Sequence, residues 1–109
     1  SIPSAFRGVS LTEFAHEINT HLDQASLLAL SHQQIVRVKL ARPGLLSSMA
    51  ATTTAPDSVS IRLRFGGGNP NQISFYPSGE NSAGTVELSQ GARRCTITLS
   101  VSGARRTEC

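Results

Sequence analysis

Long apolar runs are missing from this chain of 109 residues. The longest covers only a few positions, so the sequence contains neither the roughly 20 apolar residues of a membrane-spanning helix nor the apolar centre of a secretory leader. Charge is sparse too, at 16% of residues, while Ser, Thr, Gly and Asn are abundant. That balance suits strands and polar loops better than a helical bundle. Catalytic patterns are also lacking. His16-Glu17 with His21 departs by one residue from H-E-x-x-H, which sets the two imidazoles about 140° apart around a helix and speaks against zinc. His16, His21 and His32 read instead as surface or boundary positions. Gly66-Gly67-Gly68 is followed by neither Lys-Ser/Thr nor a helix, so it reads as a turn and not a phosphate loop. No Ser-His-acid or Cys-His pairing is signposted. The expectation is a protein that is not an enzyme, with no metal, no cofactor and no small-molecule substrate.

At this length a single domain is expected over 1–109, with a helix over about 10–33 and a β-rich region over about 34–109. Ser10-Leu11-Thr12-Glu13 has the S-x-x-E form of a capping box, which predicts a helix start. Leu11, Phe14, Ala15, Ile18, Leu22, Ala25, Leu28 and Ala29 then recur at spacings of three and four, one apolar stripe that must lie on a surface. Glu13, Glu17, Asn19, Asp23 and Gln24 form the polar, acidic side.

After Gln34 the period switches to two. Val36, Val38 and Leu40 alternate with Arg37 and Lys39, and Arg42-Pro43-Gly44 ends the strand. Residues 44–57 read as a long loop or a wandering edge. Val59, Ile61, Leu63 and Phe65 alternate with Ser60, Arg62 and Arg64, a second amphipathic strand. Ile73 and Phe75 predict a third, Pro77-Ser78-Gly79 a turn, and Val86 with Leu88 a fourth. One long amphipathic helix followed by short strands with hairpin-length connections predicts an α+β fold with mostly antiparallel sheet. By parity Arg37, Lys39, Arg62 and Arg64 face solvent.

The chain ends in a predicted hairpin. Cys95, Ile97, Leu99 and Val101 alternate with Thr96, Thr98 and Ser100, and Ser102-Gly103 then turns the chain into Ala104, Arg105, Arg106, Thr107, Glu108 and Cys109. A two-residue loop places Cys109 opposite Thr96; a three-residue loop makes Cys95 and Cys109 direct partners. Either register brings the two thiols close enough to bridge. A disulfide implies an oxidising compartment, the periplasm or the cell surface. It closes a loop of about 15 residues, which the chain-entropy model values at roughly 3 kcal/mol.

The ten cations are nine Arg and one Lys, against seven acids, giving a net charge of +3. Guanidinium suits phosphate because its planar fork can bind two oxygens at once. Arg105 and Arg106, beside a tight turn near the pinned terminus, have no evident structural task and read as polyanion contacts. Arg93, Arg94, Arg62 and Arg64 read as helpers, with Arg93 and Arg94 placed about 25 Å up the preceding strand at about 3.3 Å per residue. Arg37 and Lys39 of the first strand, with Arg7 and Arg42, complete the ten.

The whole chain resembles the soluble domain of the GspH/FimT family of minor pilins and pseudopilins. The resemblance lies in Ile73-Ser-Phe-Tyr-Pro-Ser-Gly79, in Ser82-Ala-Gly84-Thr-Val-Glu-Leu88, and in Cys95-Thr-Ile-Thr-Leu-Ser-Val-Ser-Gly103-Ala-Arg-Arg106. These are similar to the family elements F-x-P-x-G, S-x-G-x-hydrophobic and G-R-x-R, in the family's order. Gly103 and Arg106 match the last motif, whereas Ala104 stands at its first Arg and Arg105 in its variable slot. The resemblance implies a pilin-like fold and an apolar N-terminal helix that these residues lack, so the chain reads as the soluble domain without its anchor in the inner membrane. It further implies other minor and major pilins as partners, and a place on the periplasmic face of the bacterial inner membrane and in the extracellular pilus. The FimT branch implies binding of double-stranded DNA through an Arg-rich tail during natural transformation. Other branches imply a structural subunit at the pilus tip, or a minor pseudopilin of type II secretion, without DNA binding.

Overall fold

A computed structural model of the chain describes residues 10–66 and 68–109. Arg7 and Gly67, named above, lie outside the described residues, as does the start of the expected domain.

Helix α1 spans Leu11–His32. Its start is the predicted capping box: Ser10 Oγ accepts from the Glu13 amide at 3.1 Å, and Glu13 Oε1 accepts from the Ser10 amide at 3.2 Å. Two of the free amides of the first turn are thereby satisfied. Its end is set by Gln33 in the left-handed region, φ 52°, whose amide returns to the Ala29 carbonyl. Between the caps, Phe14, Ile18, Leu22, Ala25 and Ala29 are fully buried.

Eight strands follow: β1 Val36–Arg42, β2 Leu45–Ser47, β3 Thr52–Thr54, β4 Ser60–Phe65, β5 Gln72–Phe75, β6 Gly84–Gln90, β7 Arg93–Leu99 and β8 Arg105–Glu108. They form two four-stranded sheets, ordered β3-β2-β1-β5 and β4-β6-β7-β8, with every named pairing antiparallel. The helix lies across both, touching β1, β3 and β5 of the first and β6 and β7 of the second. Alternating strand residues meet its apolar stripe: Val36, Val38, Leu46, Ile73 and Phe75 from the first sheet, and Leu63, Val86, Leu88, Ile97 and Leu99 from the second. The α+β expectation therefore holds, with the helix bridging two sheets.

Of the two readings of residues 44–57, loop or edge, the structure takes the edge: they contain β2 and β3, a hairpin folded back on β1 with β3 at the rim of the first sheet. Pro43-Gly44 makes the first reversal, with Gly44 at φ 78°, and the Ser48 hydroxyl accepts from the amides of Ala50 and Ala51 in the second. Leu46 is fully buried between them. The reason for the hairpin lies partly in the helix. His21, expected at the surface or boundary, is instead buried, 1% exposed. Its Nδ1 meets Thr53 Oγ1 at 2.9 Å and its Nε2 meets Ser48 Oγ at 2.8 Å, so the hairpin supplies both partners that a buried imidazole requires.

Candidate nucleic-acid interface

The terminal hairpin sets the geometry of the basic residues. β7 and β8 pair with Ile97 opposite Thr107 and Thr98 opposite Arg106, which makes Cys95 and Cys109 direct partners and fixes the three-residue loop Val101-Ser102-Gly103. The Gly103 amide donates to the Ser100 carbonyl at 3.0 Å, and Gly103 takes φ 96°, as the last residue of such a loop does. Val101, expected in the strand, sits in this loop and is exposed. Cys95 and Cys109 form a disulfide.

Two further attachments hold the tail, and neither is written locally in the sequence. Asn81 is buried; its Nδ2 donates to the carbonyls of Ser82 and Ser100, and its amide donates to the Val101 carbonyl. Asn19 of α1 donates to Thr107 Oγ1 at 2.9 Å. A turn-flanking Asn after Pro77-Ser78-Gly79 is the only signal that hinted at the first.

Strand parity separates the two tail arginines. Arg105 shares the inner face with buried Leu99, its register partner, and Arg106 shares the outer face with Thr98. Arg105 Nη2 donates to Asp23 Oδ1 on the helix, and its guanidinium is half-buried, so burial pushes its pKa down from the usual arginine value. A structural task thus exists for Arg105, contrary to expectation: it ties the tail to α1. Arg93 and Arg94 divide in the same way. By strand parity Arg93 shares the inner, helix-side face with Cys95 and Arg94 the outer face with Ser89, while both border the hollow that Leu11 and Thr12 also line.

The outer face of the second sheet collects the rest. Following the register across β4, β6, β7 and β8, one row reads Ser60, Ser89, Arg94; the next Arg62, Glu87, Thr96, Glu108; the third Arg64, Thr85, Thr98, Arg106. Residues in register point the same way, so these form one surface. Four Arg against two Glu leave it two positive charges in excess. Arg94 stands four residues along β7 from the partner of Arg106, about 13 Å and not 25 Å, because the tail doubles back along the strand. Arg64 Nε lies 3.6 Å from Glu87 Oε2, and Arg106 Nε lies 3.7 Å from Glu108 Oε1. Arg62 and Arg94 carry no ion pair among the described residues. Arg37 and Lys39 face solvent too, but on the first sheet, apart from this surface.

The glycines of the three motifs have positions that require them. A Cβ at Gly84 would collide with the Arg64 carbonyl and lie 2.6 Å from Phe65 Cδ2. One at Gly103 would lie 3.0 Å from the carbonyl oxygen of Gly79, so the F-x-P-x-G turn and the tail loop touch. Among the described residues no helix is long and apolar enough to cross a membrane.

A family model described as the type II transport protein GspH fits residues 15–103, from the second turn of α1 to the glycine of the tail loop, and stops short of Arg105 and Arg106. No curated protein and no solved structure matches at a significant level. That fit spans well over half of the 109 residues and takes in all three glycine motifs up to Gly103. The chain accordingly belongs to the GspH family, whose minor pilins and pseudopilins work in the cell envelope or pilus among other subunits of their kind.

Proposed function

We propose that this chain is a minor type IV pilin that binds double-stranded DNA without sequence preference for uptake in natural transformation, and that it performs no catalysis. It acts on the periplasmic side of the inner membrane and in the extracellular pilus. The observation that carries the reading is the outer face of the second sheet, where Arg62, Arg64, Arg94 and Arg106 share one surface. That surface is about 14 Å wide across four strands and about 13 Å long. It spans roughly four phosphates of one strand at about 3.4 Å per phosphate. Side chains on a sheet face reach phosphates and not base edges, so affinity follows charge and salt. Within the proposal Arg106 contacts DNA, while Arg105 positions the tail and Arg93 stands aside.

The test is a titration of a fluorescently labelled 20-base-pair duplex with wild type, Arg105→Ala/Arg106→Ala and Arg106→Ala at two salt concentrations. Both variants should bind more weakly than wild type, and all binding should fall steeply with salt. Absence of wild-type binding, or equal affinity of all three, overturns the proposal.

A second reading has its own support. The Arg64–Glu87 and Arg106–Glu108 pairs neutralise half of the arginines on this face, as suits a structural subunit of a pilus tip or a type II secretion pseudopilus that binds no DNA.

A further inference from the structure

The four outward arginines are not equivalent. Arg64 and Arg106 share the row farthest from Arg94, and each has a carboxylate within reach. Arg62 and Arg94 form no ion pair among the described residues, although Glu87 stands opposite Arg62, and both line the same hollow. Its floor is made by the first two rows of the register, where Ser60 lies opposite Ser89, Ser89 opposite Arg94, and Glu87 opposite Thr96. The hollow measures about 230 Å³, roughly eight water volumes at about 30 Å³ each. That is room for a tetrahedral oxyanion and a few of its waters.

The lining is chemically matched to such an anion. Arg62 stands on β4 and Arg94 on β7, on either side of β6, so the hollow has an arginine on each flank. Ser60, Ser89 and Thr96 add three hydroxyls, each able to donate to an anionic oxygen. The one acid in the lining, Glu87, has its carboxylate drawn toward Arg64 in the far row. Leu88 and Cys95 also border the hollow, and a guanidinium fork pairs with a carboxylate as it does with a phosphate, but a phosphate has more oxygens to share between two forks and three hydroxyls.

We infer that this hollow on the second sheet, with Arg62 and Arg94 as its walls and Ser60, Ser89 and Thr96 as its floor, is a seat for one phosphate group, occupied by a phosphodiester of a nucleic-acid strand. The inference rests on the reading of the face as a DNA surface, and it makes that surface uneven: one phosphate is held at a defined place, and its neighbours lie over the charge-paired row. The tail then guides the strand and the hollow fixes it.

The experiment follows amide resonances of the 109-residue protein during titration with inorganic phosphate at low ionic strength, with chloride as the control anion. The same samples are then titrated with a 12-base-pair duplex. Phosphate should shift the amides of Ser60, Ser89 and Thr96 in a saturable way that chloride does not reproduce. Arg62→Gln and Arg94→Gln should each weaken it about tenfold, as losing a charged hydrogen-bonding partner does. Ser89→Ala should weaken it about threefold with the fold intact by its resonance dispersion, and Arg106→Gln should leave phosphate unchanged while weakening the duplex. Shifts spread evenly over all exposed arginines, or matched by chloride, overturn the seat. Duplex binding insensitive to Arg62→Gln and Arg94→Gln overturns the seat and leaves the DNA surface standing. Localised phosphate binding without any duplex binding keeps a phosphate site but overturns its nucleic-acid occupant, and with it the proposed function.

Discussion

Two buried or half-buried side chains carry the sharpest consequences for single residues. Arg105 is held by Asp23, and the pair joins the last strand to the helix. Asp23→Asn keeps the size of the side chain but removes the charge. Because Asp23 is 66% exposed, solvent screening limits the loss, and the expected destabilisation is about 0.5–1 kcal/mol, read as a lowered urea midpoint with an unchanged slope. His21 behaves differently. Burial lowers its pKa below 6.5, and the hydroxyls of Thr53 and Ser48 satisfy the neutral ring. In the unfolded chain the imidazole takes up a proton as pH falls through 6.5, while the folded chain resists it. The unfolded state then binds more protons, so stability is fully present above pH 6.5 and declines below it. Urea unfolding at pH 7.5 and pH 5.0 should show this decline, and His21→Gln should flatten it relative to wild type while lowering stability at both.

Among the elements, the outer strands of the second sheet depend on close approach and on a covalent clamp. β6 starts at Gly84 because the backbone of β4 passes too near for any Cβ, and the ring of Phe65 closes the remaining space. Gly84→Ala should therefore cost more than about 2 kcal/mol, with the cost appearing in thermal unfolding, since neither the carbonyl nor a core aromatic can move freely. The tail hairpin is short, four residues in β8, and an isolated hairpin of that size is marginal in water. The Cys95–Cys109 bond limits its freedom in the unfolded chain. Cys95→Ser/Cys109→Ser should lower stability by up to about 3 kcal/mol. Amide exchange in Arg105–Glu108 should accelerate more than in β4, whose ladder does not involve the tail.

For the whole molecule, the distribution of charge matters more than the net +3. The acids of the helix lie on one side and four arginines on the outward side of the second sheet, so a polyanion meets a surface more positive than the average. With Arg62 and Arg94 sharing one phosphate and Arg64 and Arg106 taking one each, the logarithm of duplex affinity should fall with the logarithm of salt at a slope of about −3, at about 0.9 per contact. Arg106→Ala should reduce that slope by about one. Arg93→Ala, although it also removes an exposed charge, should leave it unchanged, because strand parity puts Arg93 on the inner face with Cys95.

Local order was legible in the residues. The capping box, the three-and-four spacing of Phe14, Ile18 and Leu22, the alternation of Ile61, Leu63 and Phe65, and the turn before Ala104 are short-range patterns whose physics is complete within a few positions. The pairing of Cys95 with Cys109 followed from the same local count. Contacts between distant segments were not legible in this way. Thr53 becomes a strand residue partly because His21, 32 positions earlier, needs an acceptor or donor there. Arg105 and Arg106 looked alike as neighbours, yet a strand turns adjacent side chains to opposite faces, and only the position of α1 gives one an ion pair with Asp23 across the fold and leaves the other on the exposed face beside Glu108. Likewise Arg62 and Arg94 are 32 positions apart, and they flank one hollow only because β6 lies between β4 and β7. Short-range sterics and periodicity act within a segment of chain, whereas desolvation and charge pairing depend on what the rest of the molecule brings alongside it.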